Sequence, residues 1–268
     1  MKKGSVKSRS NRSSEKPRSG PGKLGHGAAG YDLKGIHGRV IHGLGQSIVR
    51  GVYQPGSILP REPDLMSLYG ASRTTLREAI KVLSAKGLVE TRQRLGTRVR
   101  DRNHWNIFDT DVLHWHPFDS LDNDILRDLI EMRQLVEPPA ARFAAMRASL
   151  DDIAQIAERC EAMKLAVADM AAYAQADVQF HLAIFRASHN MMLGRFAHIV
   201  AGFLEISFRI QQEALDDHEH RIENDCEQHN RLYLAINRGD AGAAEAIMMD
   251  LILDGKASLQ SALRRRSS

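Results

Sequence analysis

Apolar positions follow a helical period over most of this chain, with one short exception near residue 90. From residue 121 onward, apolar residues recur every three or four positions and predict six or seven helices. Breaks are predicted where turn-forming residues cluster, near 137–139, 149, 169, 189–190, 216 and 239–240. Short connections between helices of this length favour an all-α antiparallel helical bundle.

A pair of prolines interrupts the first helical segment of this bundle. Pro138 and Pro139 each lack the amide hydrogen that a helix interior uses, and each ring crowds the preceding turn. Both residues suit the first turn of a helix, where that hydrogen is not needed. The sequence therefore predicts a break or kink in the helix after Val136.

Residues 35–101 have a different pattern, in which three short helices precede two strands. The third helix begins after Ser72, whose hydroxyl can cap it, and ends at Gly87. The segments LVET and TRVR then predict two strands joined by a basic turn. The predicted apolar positions are Ile41, Leu44, Ile48 and Val52 on the first helix, Leu65, Met66, Leu68 and Tyr69 on the second, and Leu76, Ala79, Ile80 and Leu83 on the third. Three helices and a two-stranded wing indicate a winged helix-turn-helix, which is a DNA-binding fold.

The outer face of the third helix is basic. The spacing that buries its apolar residues turns Arg73, Thr74, Arg77 and Lys81 outward, where a recognition helix contacts base edges and phosphates. A surface helix and hairpin with solvated charges is the alternative. The two helices that precede this one favour DNA binding.

Composition adds a third segment and limits the class of protein. The chain has 268 residues, a net charge of +4, a pI near 9.1 and 43% apolar residues. It has no uncharged apolar run of about 18 residues, so no membrane span is expected. Residues 1–34 are rich in Lys, Arg, Ser, Gly and Pro, which predicts a disordered basic arm. Cys160 and Cys226 fit a reducing cytoplasm, and a single disulfide is the alternative.

Both tryptophans lie in residues 102–120, between the two predicted domains. Trp105 and Trp115 predict a linker that docks on a neighbouring domain, because aromatic residues in a linker usually pack. His104, His114 and His116 raise the alternative of a metal site. His114 and His116 are two residues apart and point in different directions on a helix, so surface or interdomain histidines are the favoured interpretation.

Three polar residues of the predicted bundle fall on faces that should be buried. Asp177 and His181 lie one turn apart on one apolar stripe, and His229 lies on the stripe of a later helix. A buried charge costs on the order of several kcal/mol unless it is paired or binds a metal. The residues alone leave two alternatives: a divalent metal with three ligands, or an Asp-His hydrogen bond with His229 satisfied separately.

Arg133 raises a similar question on the helix before the prolines. It shares the apolar face of that helix, which places a guanidinium on the buried side. Glu137, one turn later, is a candidate internal partner. The alternative is an anionic ligand, because a guanidinium binds a carboxylate through two parallel hydrogen bonds.

Residues 51–100 contain a run of motifs that resembles the GntR family of bacterial transcription regulators. The run reads G-x-x-L-P-x-E-x-x-L, then S-R-T-T-L-R-E-A-I-x-x-L, then G-L-V. In that family, the matching recognition-helix positions and the wing contact operator DNA. Pro63 departs from several members that have a phosphate-binding arginine there, and Arg61 is the candidate replacement. The implied DNA-contact set is Arg61, Ser72, Arg73, Thr74, Thr75, Arg77, Arg92, Gln93, Arg94 and Gly96.

The helical part resembles the FCD effector domain that follows the winged helix in one branch of this family. The resemblance rests on D-x3-H, S-H-N and H-x6-I-x2-G-D. It implies that Asp177, His181 and His229 hold a divalent metal, with zinc expected, and that Arg133 contacts the carboxylate of an effector. The family's further histidine ligand is replaced here by Leu251, so a three-ligand site with an open position is expected.

These resemblances imply a mainly α, homodimeric and effector-responsive transcription regulator in the cytoplasm. The run N-x-W-N-x-x-D-T-D-V-L-x-W after the wing is similar to members that respond to sugar acids such as galactonate. A repressor of a sugar-acid catabolic operon is therefore expected, with operator DNA and a small carboxylate as partners. A metal-dependent hydrolase of a sugar acid or lactone is the alternative. The expected domains are a disordered arm at 1–34, a winged helix-turn-helix at 35–101, a linker at 102–120 and an FCD-like bundle at 121–264.

Overall fold

The computed structural model describes residues 35–92, 95–118, 124–214 and 219–267. The predicted arm at 1–34 and the wing residues Gln93 and Arg94 lie outside these described residues. The described chain is mainly helical, with one two-stranded sheet. Its first part comprises α1 (Ile36–Val49), α2 (Glu62–Tyr69), α3 (Arg73–Ala85), β1 (Val89–Arg92) and β2 (Gly96–Val99).

This first part is the winged helix that the sequence predicts. Helix α1 packs against α3, and α2 packs against both. Ser72 caps α3 by accepting a hydrogen bond from the Thr75 amide at 3.1 Å. Strands β1 and β2 pair antiparallel, with Val89 opposite Val99. The buried core includes the predicted Ile41, Leu44, Ile48, Leu65, Leu76, Ala79, Ile80 and Leu83. The prediction is wrong for Val52 and Leu68, which are 70% and 66% exposed, because Val52 follows the end of α1 and Leu68 lies on the solvent side of α2.

The linker is folded and contributes to both hydrophobic cores. After one 3-10 turn at Arg102–His104, the chain forms the short helix α4 (Thr110–Trp115). Val112 and Trp115 pack in the core of the winged helix, whereas Leu113 packs in the core of the helical bundle. Trp105 is also buried in the winged-helix core. The predicted docking of the linker is therefore confirmed.

Two close approaches hold the linker on the winged helix. Gly87 has a φ of 80°, and a Cβ there would lie 2.1 Å from the His104 carbonyl oxygen, so only glycine fits. The neighbouring Lys86 is buried, and its Nζ lies 2.7 Å from carboxylate oxygens of both Asp109 and Asp111. The end of α3 is thereby fastened to the start of α4.

The second part consists of six helices among the described residues. Their bounds are α5 (Asp124–Arg147), α6 (Leu150–Leu165), α7 (Met170–Ala187), α8 (Leu193–Ala214), α9 (Glu219–Asn237) and α10 (Ala241–Ser267). The breaks predicted at Ser149 and Asp169 are the N-caps of α6 and α7. The break predicted near Asp216 lies outside the described residues.

The predicted break at the two prolines is wrong, and the kink offered as its alternative stays a prediction. Helix α5 runs through Pro138 and Pro139 without interruption. The missing amides deprive the carbonyls of Gln134 and Leu135 of their usual helical partners. Most residues from 136 to 141 are buried, and α5 packs along α10. Burial stabilises the helix by about 25 cal/mol per Å² of apolar surface, which offsets the lost hydrogen bonds.

Two further expectations concern cysteines and membranes. Cys160 and Cys226 are buried free thiols and form no disulfide. None of the described helices combines the length and apolarity that crossing a bilayer requires.

Candidate DNA-binding surface and ligand cavity

The exposed face of α3 carries the cationic side chains predicted to contact DNA. Arg73 and Arg77 are 64% and 60% exposed. Glu62 of α2 contacts both: Arg77 donates to it through Nε at 3.0 Å and Nη2 at 3.3 Å, and Arg73 Nε lies 3.7 Å away. Sequence reasoning missed this carboxylate because a tertiary contact brings α2 to α3. Glu62 therefore orients the two arginines before any DNA binds.

The other predicted contact residues lie at both ends of this surface. Ser72 and Thr75 are at the N terminus of α3, where their hydroxyls are 2.9 Å apart. Arg61 is exposed at the N-cap of α2. In the wing, Arg92 is 53% exposed and Gly96 is exposed with a φ of 93°. Thr74 is exposed on α3, and Gln93 and Arg94 lie outside the described residues.

The helical bundle contains a cavity of about 320 Å³, a size that suits a small molecule. Its walls come from α5, α7, α8, α9 and α10. The lining residues are Arg133, Met170, Tyr173, Asp177, His181, Leu204, Ser207, Phe208, Gln211, Ile222, Asn224, Asp225, Gln228, His229, Leu251, Asp254, Gly255, Ala257 and Ser258.

Asp177, His181 and His229 meet at the buried floor of this cavity. Asp177 Oδ1 lies 3.0 Å from His229 Nε2 and 3.8 Å from His181 Nε2, and the two nitrogens are 3.4 Å apart. A tetrahedral zinc ion with bonds of about 2.0 to 2.1 Å places its ligand atoms roughly 3.3 Å apart. The three donor atoms therefore have separations that fit one zinc ion.

Neighbouring groups orient the two histidines toward this point. His229 Nδ1 donates to the Asp225 carbonyl oxygen at 2.7 Å, which directs Nε2 toward Asp177. His181 Nδ1 lies 2.5 Å from Glu137 Oε2, an ionic contact that holds this side of the ring against the carboxylate. Asp177 Oδ2 is buried and accepts no hydrogen bond from the residues that the structure describes. A bound cation would remove the cost of burying that oxygen.

Arg133 has an internal partner and also lines the cavity. Its Nε donates to Glu137, and its guanidinium lies 5.1 Å from the centre of the Phe203 ring. Burial by itself raises the pKa of Glu137, but Arg133 and His181 lower it to about 2, so the carboxylate is charged. The internal ion pair considered from the sequence is therefore present, and the same guanidinium lies in the cavity wall, while binding of an anionic ligand by Arg133 stays a prediction. Sequence reasoning missed the contact between Glu137 and His181.

A second polar pair lies one helical turn from the floor. Tyr173 Oη donates to Asp225 Oδ2 at 2.6 Å. Burial, followed by the charge of Asp225, raises the pKa of Tyr173. Burial lowers the pKa of His229, but Asp225 and Asp177 outweigh it and raise that pKa to about 9. Sequence reasoning missed Asp225, although its spacing from His229 repeats the D-x3-H spacing on α7.

Leu251 also lines the cavity and is 5% exposed. Its side chain offers no ligand atom, so the potential metal cluster found among the described residues has three members. Leu251, which stands where the family has a further histidine ligand, therefore lies in the cavity wall.

These two parts define the class of protein. A winged helix with an exposed basic recognition helix reads DNA, and a helical bundle with a polar cavity binds a small ligand. Their combination is a ligand-responsive transcription regulator. The chain belongs to the gntR family of bacterial regulatory proteins, whose pattern matches residues 37–99, and the FCD domain pattern matches residues 128–254.

Relatives of known name support this assignment. The chain is 35% identical over 214 residues to the galactonate operon transcriptional repressor of Escherichia coli (strain K12), covering 80% of this chain and 92% of that protein. It is 36% identical over 149 residues to the Uxu operon transcriptional regulator of the same strain, covering 54% and 56%. Because the family and these relatives are transcription regulators, the hydrolase alternative has no support and the protein is not an enzyme.

A solved structure agrees with the fold. The protein Lar, described as controlling the expression of the Listeria monocytogenes agr system, matches with a TM-score of 0.60 at 19% identity. The match covers 85% of this chain and 98% of Lar.

Proposed function

We propose that the protein represses a sugar-acid catabolic operon and that a sugar acid, with galactonate as the first candidate, is its effector. The observation that carries this proposal is the cavity floor, where the buried Arg133 lies beside three converging ligand atoms. A hydroxylated carboxylate suits both groups, because a guanidinium binds a carboxylate and a metal accepts carboxylate or hydroxyl oxygens. The similarity to a galactonate operon repressor supports the choice of candidate.

The proposal includes one divalent metal in each subunit, with zinc as the candidate. Asp177, His181 and His229 would hold it, and Glu137 would keep His181 oriented. When bound, a metal with three protein ligands supplies a Lewis-acid position for one effector oxygen. Leu251 contributes no ligand, so it does not compete for that position.

On the DNA side, the proposal is a homodimer that binds a short inverted repeat in the bacterial cytoplasm. The proposed DNA contacts of the recognition helix and its N-cap are Ser72, Arg73, Thr74, Thr75 and Arg77. Residues 92–96 of the wing and Arg61 add contacts at the ends of the site. The proposed domain boundaries remain 35–101, 102–120 and 121–264.

Selection of genomic DNA fragments by the purified full chain tests this function. We expect enrichment of a fragment that lies beside genes for sugar-acid catabolism. We also expect galactonate, but not lactate, to release that fragment. Fragments that are indifferent to galactonate, gluconate and other sugar acids would contradict the proposed effector class.

A further inference from the structure

The cavity contains two layers of polar side chains along α7 and α9. The floor layer consists of Asp177 and His229, whose side chains are 3.0 Å apart. The upper layer consists of Tyr173 and Asp225, which are hydrogen-bonded at 2.6 Å. Each upper residue precedes its floor residue by four positions, which corresponds to a rise of about 6 Å along an α-helix. The two helices therefore run in the same direction here and carry matched layers one turn apart.

Asp225 has an oxygen available to a ligand in this cavity. Its Oδ2 accepts the hydrogen bond from Tyr173, whereas its Oδ1 accepts none from any residue in the described ranges. The Asp225 side chain is 33% exposed and lines the cavity. A ligand hydroxyl at the upper layer can therefore donate a hydrogen bond to Oδ1.

Tyr173 holds this carboxylate in place. It is 0% exposed, so water does not compete for its hydrogen bond to Asp225. Its ring packs edge-on against Phe208, with 6.1 Å between centroids. The hydroxyl of a ring fixed in this way determines the direction of the second Asp225 oxygen.

Charge determines which end of a ligand reaches each layer. In the proposed function, the divalent metal adds its charge at the floor to that of Arg133, and together they exceed the charges of Glu137 and Asp177 and attract a carboxylate, whereas the carboxylate of Asp225 repels one. A hydroxylated acid therefore places its acid group at the floor and its distal carbons at the upper layer. A short hydroxy acid held at the floor does not extend to Asp225.

We propose that Asp225 binds the hydroxyl groups on the distal carbons of the effector, with Tyr173 as its positioning residue. This inference rests on the proposed function, in which the effector carboxylate is bound at the floor. The upper layer selects polyhydroxylated acids of several carbons over short hydroxy acids. It also selects them over acids of equal length that lack distal hydroxyls, because a polar site loses affinity when its hydrogen bond has no partner.

Calorimetric titration of the full chain with galactonate, 2-hydroxyhexanoate and lactate tests the proposal. The first two acids have chains of equal length and differ in their distal hydroxyls. We expect Asp225→Leu to weaken galactonate binding by roughly tenfold or more, as loss of a hydrogen bond to a charged group does. The affinities for 2-hydroxyhexanoate and lactate should fall by a clearly smaller factor, because these ligands offer Asp225 no distal hydroxyl. Asp225→Asn retains a hydrogen-bonding group and should have an intermediate effect on galactonate.

Tyr173→Phe tests the positioning role and retains the packed ring. We expect weaker galactonate binding, and we expect the double variant to bind no more weakly than Asp225→Leu alone. This lack of additivity is the result for a residue that acts through another. Matched controls are Asp250→Leu, which is exposed on α10, and Tyr233→Phe on α9, since neither residue lines the cavity.

The results separate this inference from the proposed function. If Asp225→Leu binds galactonate as tightly as the wild type, or loses equal affinity for galactonate and 2-hydroxyhexanoate, Asp225 does not read distal hydroxyls. In both cases the wild type still binds a sugar acid and the proposed function stands. If the wild type binds none of the acids, both proposals fail.

Discussion

At the scale of single residues, acidic side chains orient the basic ones in both parts of the protein. Glu62 contacts Arg77 on an open surface, whereas Glu137 contacts Arg133 in the interior. An exposed pair contributes about 0 to 1 kcal/mol, so DNA can displace Glu62 at little cost. Breaking a buried pair by removal of one partner costs about 3 to 5 kcal/mol. Arg77 can therefore exchange Glu62 for another anion at little cost, whereas Arg133 is held by Glu137.

The first prediction concerns Arg73 and Arg77. Replacing either by Ala should weaken binding to the specific operator by about 1 to 3 kcal/mol if the side chain reads a guanine. Binding to unrelated DNA should change much less. Fluorescence anisotropy with operator and scrambled duplexes measures both. Arg142→Ala is the matched control, because Arg142 is exposed on α5 and pairs with Glu245. Unchanged operator binding by the Arg73/Arg77 double variant would remove α3 as the recognition helix.

The second prediction concerns the metal. Because a metal stabilises only the folded state that holds it, chelation should lower the melting temperature of the wild type. His181→Ala should abolish that effect, while His198→Ala, at an exposed position on α8 outside the cavity lining, should retain it. Elemental analysis gives the number of ions per subunit. A metal-free protein that still responds to its effector would make the Asp177-His181 contact structural.

At the scale of elements, α4 and α8 connect the DNA-binding part to the cavity. Leu204 and Ser207 of α8 line the cavity, and Gly202 of the same helix lies against the linker. A Cβ at Gly202 would approach a methyl group of Leu113 to 3.3 Å. A shift of α8 on ligand binding would therefore displace α4, which packs against both α8 and α1.

The third prediction concerns the contact between α1 and α4. A Cβ at Gly45 would lie 2.3 Å from the Trp115 ring, so Gly45→Ala must displace that ring. We expect a loss of about 1 to 3 kcal/mol in the free energy of unfolding, as in other overpacked cores. Urea titration followed by tryptophan fluorescence measures it. Gly194→Ala is the control: a Cβ at Gly194 in α8 would meet nothing within 4 Å, and it should stabilise the chain.

The fourth prediction concerns pH and the contact between α4 and α8. His114 Nε2 lies 3.3 Å from Glu205, and the hydrogen bond to this carboxylate raises the pKa of His114 above its usual value. A raised histidine pKa contributes stability that is complete below the unfolded pKa of about 6.5 and is lost as pH rises through the folded pKa. Glu205→Gln should therefore lower the melting temperature more in acidic than in alkaline buffer. An equal effect at both values would exclude a charged His114 from this contact.

At the scale of the whole molecule, the proposed regulation requires the effector to change the relative positions of two recognition helices in a dimer. A ligand shifts this equilibrium only if it binds one arrangement more tightly than the other. The fifth prediction is that two chains bind one inverted repeat, because one winged helix reads only a few base pairs. Sedimentation with a labelled operator should give two chains per duplex. A single chain per saturated duplex would contradict the dimer.

The winged helix was predictable from the sequence by itself, and so was an all-helical bundle of six or seven helices. The signals that define these helices act over a few neighbouring residues, so they can be recognised without a structure. They are the apolar spacing, the caps at Ser72, Ser149 and Asp169, and the glycine after α3. The same local rules placed Asp177, His181 and His229 on buried faces. They failed at Pro138 and Pro139, where packing against α10 outweighs the local preference of proline.

Only the tertiary structure decided which distant side chains meet. Three contacts form between residues on different helices: Glu62 with Arg77, Glu137 with His181, and Tyr173 with Asp225. The residues of the last pair are 52 positions apart in the sequence. Helical periodicity tells which face a residue occupies, but not which helix lies opposite that face. That choice follows from the packing of all the helices around one core, and no segment of the sequence contains it alone.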